Sequence, residues 1–148
     1  MAEMNAEIFL NAVHGQIELL RAGKPLDAID QYFAVDGVMY ANGKLFAEGA
    51  QSARETQEPF MASAREIDGK IIDLKIAETS QVCVFRNQTS FTDKDGKRHQ
   101  IDGMCWQKWS AGKVAEEQYF QGNMMVQLIS EGLLADPTML KTKTSVGN

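Results

Sequence analysis

The chain has 148 residues, 44% of them hydrophobic and 24% charged, with a formal net charge of −5. That length suits one domain able to bury ~68–70% of its unfolded surface without disulfides or metals, while the acidic balance and the lack of any Lys/Arg-rich stripe argue against a nucleic-acid partner. No run approaches the ~20 apolar residues of a membrane span, and the first ten residues carry acids where an export signal carries bases, so a cytoplasmic location is expected.

Residues 5–21 give the clearest helical pattern, because Ile8, Phe9, Ala12, Val13, Ile17 and Leu20 recur at three- and four-residue spacing. Asn5 is the expected N-cap, and Gly23 followed by Pro25 supplies the stop. His14 falls near the edge of the stripe, where a packed or half-exposed imidazole is the ordinary outcome. Pro25 suits the first position of a second helix reaching about Phe33, with Leu26, Ile29 and Phe33 on its apolar side.

A short strand over 38–41 then meets Asn42-Gly43, a strong two-residue hairpin signal, and returns over 45–47. A third helical region is expected over 50–65. Pro59 should kink or break it and open a second piece, with Ala53, Phe60, Met61 and Ala64 on the buried side.

Beyond Gly69 the period changes to two. Four successive long strands are expected near 72–77, 82–92, 98–109 and 113–126, with a hairpin turn at 93–97 rich in residues that tolerate positive φ. The stretch 101–124 holds both Trp residues and mixes aromatics with Asp102, Glu117 and Gln121, a combination that suits a pocket wall better than a dry core. Cys83 and Cys105 fall in these strands. A disulfide between neighbouring strands is open to them, but two buried free thiols are favoured. His14 and His99 are too isolated for metal ligation, and no metal site is expected. The domain is expected to span residues 4–130, with 131–148 as a partly ordered extension. Helices segregated from an antiparallel meander define an α+β domain, in which a long curved sheet covered by helices leaves a cone-shaped cavity.

Two segments, LLRAGKPLDAIDQYFAVDGVMYANG and CWQKWSAGKVAEEQYFQGN, resemble the nuclear transport factor 2-like superfamily, especially its SnoaL-like and ketosteroid-isomerase-like members. The first is similar to the family's helix end, second helix and opening strand, and the second to its closing hairpin. The resemblance covers roughly residues 6–125. It implies a cone-shaped barrel, cystatin-like in its layout, formed by a curved, mostly antiparallel sheet packed on N-terminal helices. Because the family hosts isomerases, dehydratases, cyclases, carriers and association domains, the fold alone does not settle function. Isomerase-like members place an oxyanion-donating Tyr on the first helix, where this chain has Gln16. Their base Asp corresponds to Ala41 or Asn42, neither of which can abstract a proton. Their fifth-strand Asp is matched by Asp102, displaced by two residues, a shift that keeps the same strand face.

The expected site therefore uses Asp102 and Glu117 as acid and base, with Tyr40, Met104, Trp106, Tyr119, Gln121 and Gln16 contacting the substrate. Trp106 and Trp109 have opposite parity, so one should face the pocket and the other the convex surface. Tyr40 and Tyr32 stand where they could close the mouth, although core packing suits Tyr32 better, and His99 should lie on the surface. The implied ligand is a small, largely apolar, oxygen-bearing molecule. The implied protein is a cofactor-free isomerase, dehydratase or cyclase, or alternatively a non-catalytic ligand-binding or dimerisation domain. A homodimer is expected through the convex sheet face.

Overall fold

The computed structural model describes residues 2–143, with side chains from residue 5. Helix α1 (Ala2–Arg21) leads into α2 (Pro25–Tyr32), and β1 (Phe33–Ala41) starts without a linker. Asn5 thus lies inside α1 rather than capping it, because the helix continues for a further turn. Phe9, Val13 and Ile17 are fully buried, whereas Ile8 stays half exposed at the edge of the stripe and His14 is exposed. Pro25 occupies the first turn of α2, where its missing N–H removes nothing that the helix needs.

Strands β1 and β2 (Lys44–Glu48) form the expected hairpin, with Asn42 at φ 49° and Gly43 at φ 83°. These two left-handed residues give the turn a twist that matches the flanking strands. Helix α3 (Ala50–Met61) runs through Pro59 and ends two residues later. Pro59 therefore marks the last turn and opens no second piece. Ala53 is buried on this helix, but Phe60 is 68% exposed, contrary to the expectation for its buried side.

The long strands divide more finely than the period-two pattern indicates. After β3 (Arg65–Asp68) and β4 (Ile71–Ala77), the segment expected as one strand over 82–92 splits into β5 (Val82–Asn87) and β6 (Ser90–Thr92). The next splits into β7 (Arg98–Gln100) and β8 (Gly103–Ser110), followed by β9 (Lys113–Gln121). The breaks have local causes. Asn87 turns its side chain back to accept from Thr89 N and Oγ1, and Gln88 N donates to Lys70 O rather than to a ladder partner. A six-stranded sheet runs β2-β1-β9-β8-β5-β4, and the released halves pair with β3 in a separate β3-β6-β7 sheet. In the larger sheet only β1 and β9 are parallel. The β6–β7 turn is closed by Asp93, whose carboxylate accepts from the N–H groups of Asp95 and Lys97. His99 there is half exposed; it meets Asp93 at 2.6 Å and stacks on Phe91. Four helices and a curved, mostly antiparallel sheet make this an α+β cone fold.

The larger sheet carries a core on each face. On the inner face, Phe9, Val13, Ile17, Ile29 and Phe33 pack against Cys83, Phe85, Trp109 and Val114. Both cysteines are free and buried. On the outer face, Val82, Val84, Met104, Trp106 and Phe120 are covered by α4 (Gly122–Ser130) and the segment after it, with Leu133 fully buried. The last part of the strand expected to reach residue 126 is therefore helical. The expected extension binds back to the sheet over its described residues: Trp106 Nε1 donates to Pro137 O at 2.8 Å, Gln118 Nε2 to Lys141 O at 2.9 Å, and Lys143 N to Glu116 Oε2 at 2.8 Å. The convex face expected to seat a second copy is thus occupied by the chain's own C-terminal segment over Trp106 and Phe120.

If Leu133 anchors this cover, Leu133→Ala should cost about 2–5 kcal/mol of unfolding free energy through the cavity it leaves. Chemical denaturation measures this, and a loss below about 1 kcal/mol would show that the segment is not part of the cooperative fold.

A candidate binding cavity

Between the inner face of the sheet, helices α2 and α3, and the small β3-β6-β7 sheet lies a cavity of about 540 Å³. Its walls are mainly apolar, with Ile29 and Phe33 on one side, Phe60 and Met61 from α3 on another, and Ile67 and Phe91 from the small sheet. Gln16 reaches it from α1, and Gln107, Glu117, Tyr119 and Gln121 line it from β8 and β9. No Lys, Arg or His stands among the described residues that line it.

Which side chains enter the cavity depends on a β-bulge. The β8–β9 hairpin turns at Ala111 and Gly112, both at positive φ, and pairs Ser110 with Lys113 and Trp109 with Val114. Continued without interruption, that register would set Trp106 opposite Glu117 on one face. Instead Lys108 pairs with Glu116, so Ala115 is left over as a bulge. One extra residue moves the remainder of β9 by one position and reverses its faces relative to β8. Glu117 then lies opposite Gln107, and Tyr119 opposite Cys105.

The structure accordingly brings Gln16, Glu117, Tyr119 and Gln121 to one cavity, with Tyr40 on its border under the Lys143 ammonium, 5.6 Å from the ring centroid. It does not bring Met104, Trp106 or Asp102 there. Met104 and Trp106 are buried in the outer-face core, facing α4 and the C-terminal segment. Asp102 is half exposed, accepts from Arg86 Nη2 at 2.8 Å and is not among the lining residues, although its charge is felt at the Tyr119 phenol. The parity argument failed at the bulge. Trp109 is the inner tryptophan, packed edge-on against Phe9 and tilted against Tyr32, with both ring centroids 6.2 Å away. Tyr32 is thus a core residue, not a gate.

Gln107 escaped the sequence reading. Fully buried, it exchanges two hydrogen bonds with Gln16: Gln16 Nε2 donates to Gln107 Oε1 at 2.9 Å, and Gln107 Nε2 to Gln16 Oε1 at 2.8 Å. Gln107 Nε2 also donates to Glu117 Oε1 at 2.7 Å. The available signal was a polar residue between Trp106 and Trp109 in a strand with no other uncharged polar residue before Ser110. Tyr119 is placed by Gly103, where a Cβ would fall 2.2 Å from the Tyr119 hydroxyl oxygen. No side chain larger than hydrogen fits there unless the ring moves away.

Burial raises the Glu117 carboxyl above the usual carboxylate range, and the hydrogen bond from Gln107 offsets only part of that rise. Burial likewise pushes the Tyr119 phenol up to about 12, so it remains a neutral donor. The exposed surface of Glu117 opens onto the cavity, and its Oε2 has no hydrogen-bond partner among the described residues. A neutral carboxyl with one oxygen held and the other free can give a proton or hydrogen bond to a bound oxygen and can recover the proton afterwards.

The raised value has a consequence for stability. A carboxyl that binds its proton more tightly in the folded state loses folding free energy as pH rises from the ordinary Glu value through the raised one, because the buried form must ionise. Thermal unfolding of the wild type should therefore weaken over that interval. Glu117→Gln should remove this part of the decline and match or exceed the wild type at neutral pH. Parallel curves for the two proteins would refute the buried-acid assignment.

No family model matches the chain, and no curated protein matches it. Solved structures do. A protein from Mesorhizobium loti assigned as a SnoaL-like polyketide cyclase superposes with a TM-score of 0.59 at 21% identity, covering 78% of this chain and 97% of its own. SalBIII, described as an epoxide hydrolase/cyclase-like enzyme with a role in pyran ring formation in the polyether salinomycin, gives 0.63 at 18% identity, covering 84% and 97%. A nuclear transport factor 2-like protein of unknown function from Burkholderia pseudomallei gives 0.59 at 11%, covering 83% and 95%. With the helical roof, the curved sheet and the cavity between them, this chain has the fold of the SnoaL-like and nuclear transport factor 2-like proteins.

Proposed function

We propose that the cavity binds a small, largely apolar, uncharged molecule bearing at least one oxygen, and that Glu117 serves as the acid–base group for a cofactor-free reaction at that oxygen. The carrying observation is Glu117 itself, the one carboxyl among the described lining residues, half-buried, with its titration raised and one free oxygen on an apolar wall. A ligand carboxylate or phosphate would find no cation among the lining residues and would lose its hydration without replacement. A ketone, ether, epoxide or hydroxyl would receive a hydrogen bond from protonated Glu117 or from Tyr119.

Ring closure of a hydroxy-epoxide is one redox-neutral reaction that suits this arrangement, and the likeness to SalBIII supports it. Glu117 would protonate the epoxide oxygen as its C–O bond breaks. The chain hydroxyl would form the new C–O bond, and its proton would return to the Glu117 carboxylate. Asp102 has no part in this reading, because it is paired with Arg86 and is not among the residues lining the cavity. A homodimer through the outer sheet face would require the C-terminal segment to leave Trp106 and Phe120, so the small molecule is the partner we favour.

Acetylnaphthalene and naphthoate, nearly equal in shape, test the binding reading. Fluorescence titration at neutral pH should show the ketone binding at least about tenfold more tightly than the carboxylate. Asp102→Ala should leave the ketone affinity unchanged, and Glu117→Leu should weaken it about tenfold. Equal affinity for ketone and carboxylate would overturn the proposal. Turnover is read by NMR with an aryl epoxide carrying a chain hydroxyl: Glu117→Gln should keep binding and lose about a hundredfold or more in rate. Binding without any turnover by the wild type would instead assign the cavity to ligand carriage.

A further inference from the structure

Gln16 and Gln107 both border the cavity, and their amides are spent largely on each other and on Glu117. Gln16 uses its Oε1 and one of its two Nε2 protons on Gln107. Gln107 uses one N–H on Gln16 and the other on Glu117, while its Oε1 takes bonds from Gln16 Nε2 and from the Cys83 thiol at 3.5 Å. The two amides, from α1 and β8 and 91 positions apart in the chain, make a closed pair that ends on the carboxyl.

The direction of this network is fixed. Burial keeps Cys83 protonated by pushing its thiol up to about 12, so the S–H is left to donate to Gln107 Oε1. With that oxygen committed, Gln107 presents Nε2 to Glu117. Turning Gln107 alone would break both bonds to Gln16 and oppose like groups. Turning both amides would face the Cys83 S–H with an NH₂.

We propose that Gln107, aligned by Gln16 and the Cys83 thiol, is a positioning residue that holds the Glu117 proton on Oε2, the oxygen facing the cavity. Oε1 already accepts from Gln107 and so takes the carbonyl role, leaving Oε2 as the O–H. The free amide of an unaligned Gln107 would offer its own oxygen to that proton and withdraw it from the ligand. Gln16 thus acts on the Glu117 proton through Gln107, and the site is biased toward ligand oxygens that accept. This rests on the acid–base reading of Glu117 given above.

Isotope-edited infrared spectroscopy of the Glu117 carboxyl in the full chain, recorded across pH without ligand, tests the inference separately. In Gln107→Met the acid C=O loses its donor, so its stretch should move to higher wavenumber and the titration midpoint should rise by about one to two pH units. In Gln16→Met only the long Cys83 contact is left to hold the Gln107 amide, so its oxygen should turn to the acid in part of the population and shift both readings in the same direction by a smaller amount. A merely structural role would lower the unfolding temperature without moving either reading. If either variant fails to fold, the other decides. A raised wild-type midpoint that both folded variants leave unchanged, with an unchanged stretch, would overturn the positioning role while leaving the acid–base reading intact. A wild-type midpoint at the ordinary Glu value would overturn that reading, and this inference with it.

Discussion

The single extra residue at Ala115 decides what each face of the central hairpin does. Before the bulge, Val114 and Trp109 share the inner core; after it, Glu117, Tyr119 and Gln121 turn toward the cavity while Gln118 and Phe120 turn outward. Strand β1 accommodates the same region irregularly, pairing Phe33 with Val114 but Val38 with Glu116. Gly37 lies within this detour, where a Cβ would stand 2.8 Å from Val114 O. The bulge is thus supported from both neighbouring strands. It converts a hairpin that would present Trp106 and Glu117 together into one that separates them, one for packing and the other for chemistry.

That separation leaves two demanding burials, and the chain meets each with specific partners. A buried amide without partners costs about 1–3 kcal/mol, so Gln16 and Gln107 are tolerable inside only as a mutual pair. On the opposite face Glu116 is only 1% exposed and would be costlier still, but Gln118 Nε2 and Lys143 N both donate to its Oε2. The C-terminal segment therefore does more than hide Trp106 and Phe120. It brings the backbone donor that makes an acid on the outer face acceptable. The apolar cover and the polar anchors belong to one segment, which explains why the sheet's convex surface is not left open.

Much of the architecture was legible because it is written in local signals: the three- and four-residue spacing of Phe9, Val13 and Ile17, Pro25 at a helix start, Asn42-Gly43 between two strands, and Asp93 closing a turn. What was hidden required tertiary partners. Nothing in Lys113 to Gln121 marks Ala115 as surplus, since either register sets an acid inside and an acid outside. The strand breaks at Asn87–Thr89 and before Gly103 look like continuous alternation until Lys70 O and the small three-stranded sheet are present to accept the chain. Helix α4 did carry a signal, in Met125, Leu128 and Ile129 at helical spacing before Gly132. It was obscured by following strand alternation too far. Of the candidate site, Glu117, Tyr119, Gln121, Gln16 and Tyr40 reach or border the cavity, whereas Asp102, Met104 and Trp106 inherited the error of register.

The arrangement also explains why one carboxyl can suffice where a pair would be self-defeating. Two close acids in an apolar cavity would drive each other's titration apart and leave one charged against little solvent. Here the second carboxylate on the hairpin, Glu116, is held on the outer side of the sheet by Gln118 and the Lys143 N–H, and Asp102, paired with Arg86, is not among the lining residues. Uncharged groups, Gln107, Gln16 and the Tyr119 phenol, supply the polarity around Glu117 instead. Such groups have fixed dipoles and carry no counter-charge to be neutralised when a ligand enters. They can orient a proton without lowering the acid into the range where it would be lost. A cavity polarised by amides and phenols, rather than by ions, favours uncharged ligands from the moment the carboxyl is protonated, and it stays compatible with the apolar walls contributed by α2 and α3.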